Sequence, residues 1–122
     1  MNNNKILIVD DDPRNIFALK LTLKARGYQS ETANSAEEAI SILKKDGNIA
    51  VVLMDMMMPD TDGYKAISII RGDQQISHIP VIAVTAQAMQ EDRQKCLDAG
   101  ANDYIKKPID VDQLIKAIKN LD

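Results

Sequence analysis

Four apolar runs in this sequence are each followed by charged or hydroxyl side chains, which could bind a cation or a phosphoryl group. In chain order these side chains are Asp10, Asp11 and Asp12, then Asp55, then Thr85, and finally Lys106 and Lys107. Asp55 is the most unusual of them, because it lies between the apolar run at 51–54 and three consecutive methionines. Burying a carboxylate is costly unless another group compensates its charge. Asp55 must therefore lie at the rim of the fold or be compensated by residues elsewhere in the chain.

The elements that would position these side chains alternate between strands and helices. Short runs of strand length predict strands at 5–9, 28–33, 50–54, 80–84 and 103–105. Amphipathic or capped stretches predict helices at 13–27, 35–47, 62–72, 86–100 and 110–121. The strand at 28–33 is the most polar of the five, which indicates an edge position.

This alternation predicts an α/β fold. The central strands are continuously apolar, as expected for a parallel sheet that is covered on both faces. We therefore predict a doubly wound (βα)5 sandwich with a five-stranded parallel sheet of order 2-1-3-4-5. We expect a single domain over 1–122, with its core at about 5–121 and no output domain. Ligands of such sheets bind beyond the carboxyl ends of the strands, so the polar side chains should meet at one rim.

The side chains at this rim have the chemistry of phosphoryl transfer. Crowded carboxylates repel one another unless a cation joins them, and a set of oxygen ligands suits Mg²⁺ or Mn²⁺. A carboxylate can be the nucleophile that forms an aspartyl phosphate. A lysine can supply positive charge to a phosphoryl oxygen, and a threonine hydroxyl can supply a hydrogen bond. The rim therefore has the groups needed to transfer a phosphoryl group onto an aspartate.

Composition argues against several other classes of protein. The formal net charge of -3 argues weakly against direct nucleic-acid binding, although a global count leaves a basic patch open. No apolar stretch approaches the roughly 20 residues of a membrane-spanning helix. The single cysteine, Cys96, excludes an intrachain disulfide and favours a reducing, cytoplasmic compartment. His78 and Cys96 are interpreted as a loop residue and a packing residue.

Four motifs in order resemble those of response regulator receiver domains, the phosphoacceptor half of two-component signalling. They are "ILIVDDDP" at 6–13, "VLMDMMMPDTDG" at 52–63, "PVIAVTA" at 80–86 and "DAGANDYIKKP" at 98–108. The resemblance runs from Lys5 to about Leu121 and implies a flavodoxin-like fold. Members of this family have the strand order proposed above, so that order is not independent of the resemblance.

The resemblance implies a role for each residue that matches a motif. Asp55 would be the phosphoacceptor and a metal ligand. Asp11 would bind Mg²⁺ directly, whereas Asp10 would act through water. Met57 would offer its backbone carbonyl to the metal, and Lys107 would be the lysine that precedes the family's proline.

The resemblance also implies a switch and a control of phosphoryl lifetime. Thr85 would be the switch hydroxyl, and Tyr104 the aromatic residue that swings inward when Thr85 engages the phosphoryl group. Met57 and Gln87 would flank the phosphoryl group and influence attack by water. Lys106 would point elsewhere, because side chains alternate along a strand.

Taken together, the resemblance implies a signalling domain rather than an enzyme with a separate substrate. It would promote only its own phosphorylation and autodephosphorylation. A histidine kinase or histidine phosphotransfer protein would donate to Asp55, docking near Arg14, Asn15, Ala18 and the loop at Pro108. The face formed by the helix at 86–100, the strand at 103–105 and the helix at 110–121 would then bind a downstream protein or a second copy.

Other functions stay open at this point. A haloacid-dehalogenase-type phosphohydrolase would use Asp10 and Asp12 as its D-x-D pair, although Asp12 precedes Pro13 and fits a helix N-cap. A flavin mononucleotide carrier would need a phosphate loop after the first strand, where "DDDPRN" would repel phosphate. A phosphorylation-independent receiver is a third alternative. Met1 favours a stand-alone regulator over a receiver taken from a hybrid kinase.

Overall fold

A five-stranded parallel sheet forms the centre of the protein, in the order β2-β1-β3-β4-β5. The computed structural model describes residues 5–59, 62–86 and 90–121. The strands are β1 (Lys5–Val9), β2 (Gln29–Ala33), β3 (Ile49–Asp55), β4 (Val81–Thr85) and β5 (Asp103–Lys106). The helices are α1 (Pro13–Ala25), α2 (Ala36–Lys45), α3 (Gly63–Gly72), α4 (Gln90–Ala99) and α5 (Val111–Asn120). The predicted doubly wound fold and its strand order are confirmed.

The ends of three strands differ from the prediction by one residue. Asp55, Thr85 and Lys106 were expected to follow their strands, but each is the last residue of its strand. The parallel ladders continue far enough to include them, because Asp55 pairs with Val84 and Thr85 pairs with Lys106. These residues therefore belong to the rigid sheet rather than to the loops, which fixes their backbone positions.

Several other predicted boundaries are also wrong by one or more residues, among them those at Tyr28 and Ala86. Tyr28 was assigned to the second strand, but β2 begins at Gln29, because the backbone N–H of Tyr28 bonds to the carbonyl of Leu23 at the end of α1. Ala86 was assigned to the fourth helix but lies in a bend after β4. Residues 87–89 lie outside the described residues, and α4 is described from Gln90 onward.

Helices cover both faces of the sheet, as expected for its apolar inner strands. On one face, Ile8, Leu53 and Val84 pack with Leu23 of α1 and Leu114 of α5. On the opposite face, α2, α3 and α4 contribute to the core that contains the alternate residues of β1, β3 and β4. At the edge of the sheet, β2 is half-exposed. Among the described helices, none combines the length and apolar character needed to cross a bilayer.

Side-chain caps determine where the helices near the site begin. The predicted N-cap role of Asp12 is confirmed, because its carboxylate accepts a hydrogen bond from the backbone N–H of Arg14 at 2.9 Å. Asp62 and Asp110 cap α3 and α5 in the same way. Such caps stabilise helices by about 1 kcal/mol each. They fix the starting points of three of the helices that follow the carboxyl ends of the strands.

Arg71, near the end of α3, joins the loops at the opposite end of the sheet. Its guanidinium donates to the carbonyl oxygens of Gly100 (2.8 Å), Ser77 (3.0 Å) and Ile79 (2.6 Å) and to Oδ1 of Asn102 (2.7 Å). Asn102 Oδ1 also accepts the backbone N–H of Val81, the first residue of β4. One side chain thus ties α3 to the starts of β4 and β5.

Replacing Arg71 with alanine is expected to lower the free energy of unfolding by about 2–4 kcal/mol. The physical reason is that several part-buried oxygen acceptors would lose a charged donor at once. Urea unfolding followed by circular dichroism measures the change. Arg93→Ala, which removes an exposed arginine from α4, is the matched control and should change stability by less than about 0.5 kcal/mol. Equal effects of the two changes would contradict the structural role of Arg71.

Candidate functional site

The carboxyl edge of the sheet holds an unusual concentration of buried polar side chains. Over the described ranges, the polar or charged residues that are buried are Asp10, Asp55 and Thr85, with exposed fractions of 8%, 5% and 1%. Asp10 follows β1, Asp55 ends β3, which lies beside β1, and Thr85 ends β4, the next strand of the sheet. The sequence placed these residues at one rim, and the structure brings them together there.

Three carboxylates form a cluster that could hold a metal ion. One oxygen from each of Asp10, Asp11 and Asp55 lies within 4.8 Å of the others, and Asp11 is the exposed member. Burial raises the pKa of Asp10; the backbone N–H of Asp12 opposes this shift, and the negative charge of Asp55 adds to it. A cation would offset both the burial and the repulsion. An all-oxygen set of this kind fits Mg²⁺ or Mn²⁺.

Asp55 is held by two donors at one of its oxygens. Its Oδ1 accepts the backbone N–H of Met57 at 2.9 Å and lies 3.1 Å from Nζ of Lys107. Lys107 follows β5, two strands away from Asp55 in the sheet. Its neighbour Lys106 is exposed. The compensation that Asp55 requires therefore comes in part from a lysine about fifty residues away.

Met57 contacts the hydroxyl of Thr85. Thr85 Oγ1 donates to Sδ of Met57 at 3.4 Å, while 44% of the Met57 residue surface is exposed. Sequence reasoning assigned functions to the Met57 carbonyl and side chain but missed this contact. The adjacency of β3 and β4 was the available signal, because it brings the turn after Asp55 next to the end of β4.

Tyr104, a further predicted site residue, is not part of this carboxylate cluster. Tyr104 is half-buried in β5 and packs against the apolar core on the side of α2, α3 and α4. Gln87, which was predicted to flank the phosphoryl group, lies outside the described residues.

A groove of about 540 Å³ opens beside the cluster, between α1 and the segment that joins β5 to α5. Its lining combines Asp10 and Lys107 with apolar and small side chains, among them Ala18, Leu19 and Pro108. Of the predicted docking residues, Asn15, Ala18 and Pro108 line the groove. Arg14 instead lies 3.5 Å from Asp12, with its side chain 92% exposed. The groove opens at the same edge of the sheet as Asp10 and Lys107, which contribute to its lining.

Comparison with known proteins identifies relatives that cover most of the chain. Residues 6–119 match the response regulator receiver domain family. Sensor histidine kinase RcsC of Escherichia coli (strain K12) is 42% identical over 107 residues, which cover 88% of this chain and 11% of RcsC. Polar-differentiation response regulator DivK of Brucella ovis is 34% identical over 115 residues, covering 94% of this chain and 93% of DivK.

A solved structure supports the same relationship. The receiver domain of sensor histidine kinase PA1611 from Pseudomonas aeruginosa PAO1 is 33% identical and superposes with a TM-score of 0.85, covering 96% of this chain and 95% of that one. That structure has a magnesium ion coordinated in its active-site cleft. The chain thus spans about a ninth of the length of RcsC and nearly the whole of DivK and of the PA1611 receiver.

Proposed function

This chain belongs to the response regulator receiver domain family of two-component signalling, and from that membership we propose that it accepts a phosphoryl group on Asp55. The observation that carries the proposal is the setting of Asp55. Its carboxylate is buried, lies 3.1 Å from Lys107 Nζ and forms a cluster with Asp10 and Asp11. The family of the chain and the setting of Asp55 argue against the hydrolase and flavin-carrier alternatives. Asp12, the second acid of the D-x-D pair that the hydrolase would need, instead caps α1.

The donor set at the rim suits a divalent cation. The carboxylates of Asp10, Asp11 and Asp55 and the backbone carbonyl of Met57 would hold Mg²⁺ or Mn²⁺. When bound, such an ion neutralises charge on the oxygens of a transferring phosphoryl group. The magnesium ion in the PA1611 receiver supports this assignment by similarity.

Residues of this chain carry out the phosphoryl transfer and the conformational switch that follows it. A carboxylate oxygen of Asp55 forms a bond to phosphorus as the bond between phosphorus and an imidazole nitrogen of the donor breaks. Lys107 stabilises charge on the phosphoryl oxygens, since its ammonium lies beside Asp55. The hydroxyl of Thr85 then hydrogen-bonds to the phosphoryl group, and Tyr104 moves inward. The face of α4, β5 and α5 changes with them and binds a downstream protein or a second copy.

The proposed phosphoryl donor is a histidine kinase or a histidine phosphotransfer protein. The relatives support a kinase partner, because one is a receiver segment of sensor histidine kinase RcsC and another is the response regulator DivK. The groove between α1 and Pro108 is the proposed docking surface, since it adjoins both Asp10 and Lys107. We propose a cytoplasmic location, in keeping with the free thiol of Cys96.

Incubation with acetyl phosphate and Mg²⁺ tests this function. Intact-protein mass spectrometry is expected to show the added mass of one phosphoryl group per chain. EDTA should abolish the adduct, and excess Mg²⁺ added after EDTA should restore it. Lack of an adduct with acetyl phosphate and with phosphorylated kinases would contradict the proposal and favour a phosphorylation-independent receiver.

Met57→Asn is expected to shorten the lifetime of the phosphoryl group. A thioether is a poor partner for water, whereas an amide can orient a water molecule for attack on the acyl phosphate. Both proteins are phosphorylated and separated from the donor. Mass spectrometry then measures how fast each one loses its phosphoryl group. Equal decay rates would contradict the role of Met57.

A further inference from the structure

Met57 differs from the neighbouring methionines in its exposure. Its exposed fraction is 44%, whereas those of Met54, Met56 and Met58 are 0%, 9% and 5%. Oxidation of methionine to the sulfoxide is favoured by exposure of the sulfur to solvent. Within one short segment, the chain therefore has one exposed methionine, the expected oxidation site, and three buried ones.

The sulfur of Met57 is also in contact with the proposed phosphorylation machinery. Sδ accepts a hydrogen bond from Thr85 Oγ1 at 3.4 Å, and the backbone N–H of Met57 holds Asp55 Oδ1 at 2.9 Å. A thioether is a weak acceptor, but a sulfoxide is polar and accepts strong hydrogen bonds. A change at this sulfur would therefore act directly beside Asp55 and Thr85.

We propose that Met57 is an oxidation site through which hydroperoxides shorten the lifetime of the phosphoryl group on Asp55; this rests on the proposed function. A lone pair of Sδ attacks one oxygen of the hydroperoxide and forms the sulfur–oxygen bond as the oxygen–oxygen bond breaks. The sulfur is oxidised by two electrons, the peroxide is reduced, and the leaving oxygen takes a proton to depart as water or an alcohol. The product is methionine sulfoxide.

The sulfoxide oxygen affects both the Thr85 hydroxyl and the water molecules near the phosphoryl group. It accepts the Thr85 hydroxyl more strongly than the thioether does, so it competes with the phosphoryl group for that hydroxyl. It also accepts a hydrogen bond from a water molecule, which orients the water for attack on the acyl phosphate. Decay of the phosphoryl group is expected to accelerate by about fivefold, the effect of one ordinary hydrogen bond.

The experiment compares the native protein with two variants, before and after treatment with hydrogen peroxide followed by catalase. Tandem mass spectrometry locates the added oxygen, and phosphoryl decay is followed as above. Met57 should oxidise faster than the buried Met54, Met56 and Met58. Met57→Leu, which keeps the side-chain volume without sulfur, should show the same decay rate before and after peroxide. Met57→Gln, which mimics the sulfoxide, should decay faster without peroxide.

Several outcomes would overturn the inference. If Met57 oxidises no faster than its three buried neighbours, it is not the proposed oxidation site. An unchanged decay rate in protein oxidised at Met57 would contradict an effect of this oxidation on phosphoryl lifetime. The same contradiction would follow if peroxide accelerated decay equally in Met57→Leu and in the native protein. Absence of a phosphoryl adduct in untreated protein would instead contradict the proposed function, and this inference with it, whatever the oxidation pattern shows.

Discussion

Asp55→Asn is expected to show no phosphoryl adduct with acetyl phosphate and Mg²⁺. The amide keeps the shape of the side chain but removes the nucleophilic carboxylate oxygen and one charge of the metal-binding cluster. No other described carboxylate combines burial with an ammonium at 3.1 Å. Intact-protein mass spectrometry under the conditions that label the native protein measures the loss.

Asp98→Asn is the matched control for this change. Asp98 is an exposed acid of α4 that bonds to Gln94 within the same helix. The control should be labelled like the native protein, although it loses the same charge. Thermal unfolding of both variants checks that the fold is retained. Normal labelling of Asp55→Asn would show that another residue is the phosphoacceptor.

Lys107→Ala is expected to lower the rate of phosphorylation on the order of 100-fold, as when one preorganised donor to a developing charge is removed. Its ammonium lies 3.1 Å from Asp55 Oδ1 and is 75% shielded from solvent, since 25% of the side chain is exposed. The charge is therefore held close to the Asp55 carboxylate and is screened less than a surface charge. Time courses of adduct formation at fixed donor concentration measure the rate.

Lys106→Ala gives a close control, because it removes the same charge from the adjacent residue. Lys106 is exposed at the end of β5, whereas Lys107 reaches Asp55. A general effect of net charge on a negatively charged donor would slow both variants alike. The structure predicts that only Lys107→Ala is slow, and equal rates for the two variants would contradict a local role for Lys107.

Much of this arrangement could be predicted from the sequence, because the rules for parallel sheets are simple. Continuous apolar runs indicate inner strands, and inner parallel strands bring their carboxyl ends to one edge. That reasoning placed Asp10, Asp55 and Thr85 together. The choice of Lys107 over Lys106 came instead from the resemblance, in which the lysine directly precedes a proline.

Other features depend on distances that sequence patterns do not contain. The contact between Thr85 and Met57 depends on how the turn after β3 folds over the neighbouring strand. The four hydrogen bonds of Arg71 join loops that are far apart in the chain, and nothing in the local sequence marks that arginine as different from an exposed one. Strand ends were misplaced by one residue because polar residues can extend a ladder when their backbones find partners, as Asp55 does with Val84.

The most direct test of the central claim is to locate the phosphorylated residue chemically. Sodium borohydride cleaves an acyl phosphate and reduces the aspartyl side chain to homoserine, which tandem mass spectrometry can place within a peptide. After treatment with acetyl phosphate and Mg²⁺, the account predicts homoserine at position 55. Homoserine at Asp10, Asp11 or Asp12, or a borohydride-resistant phosphoryl group on His78, would contradict it.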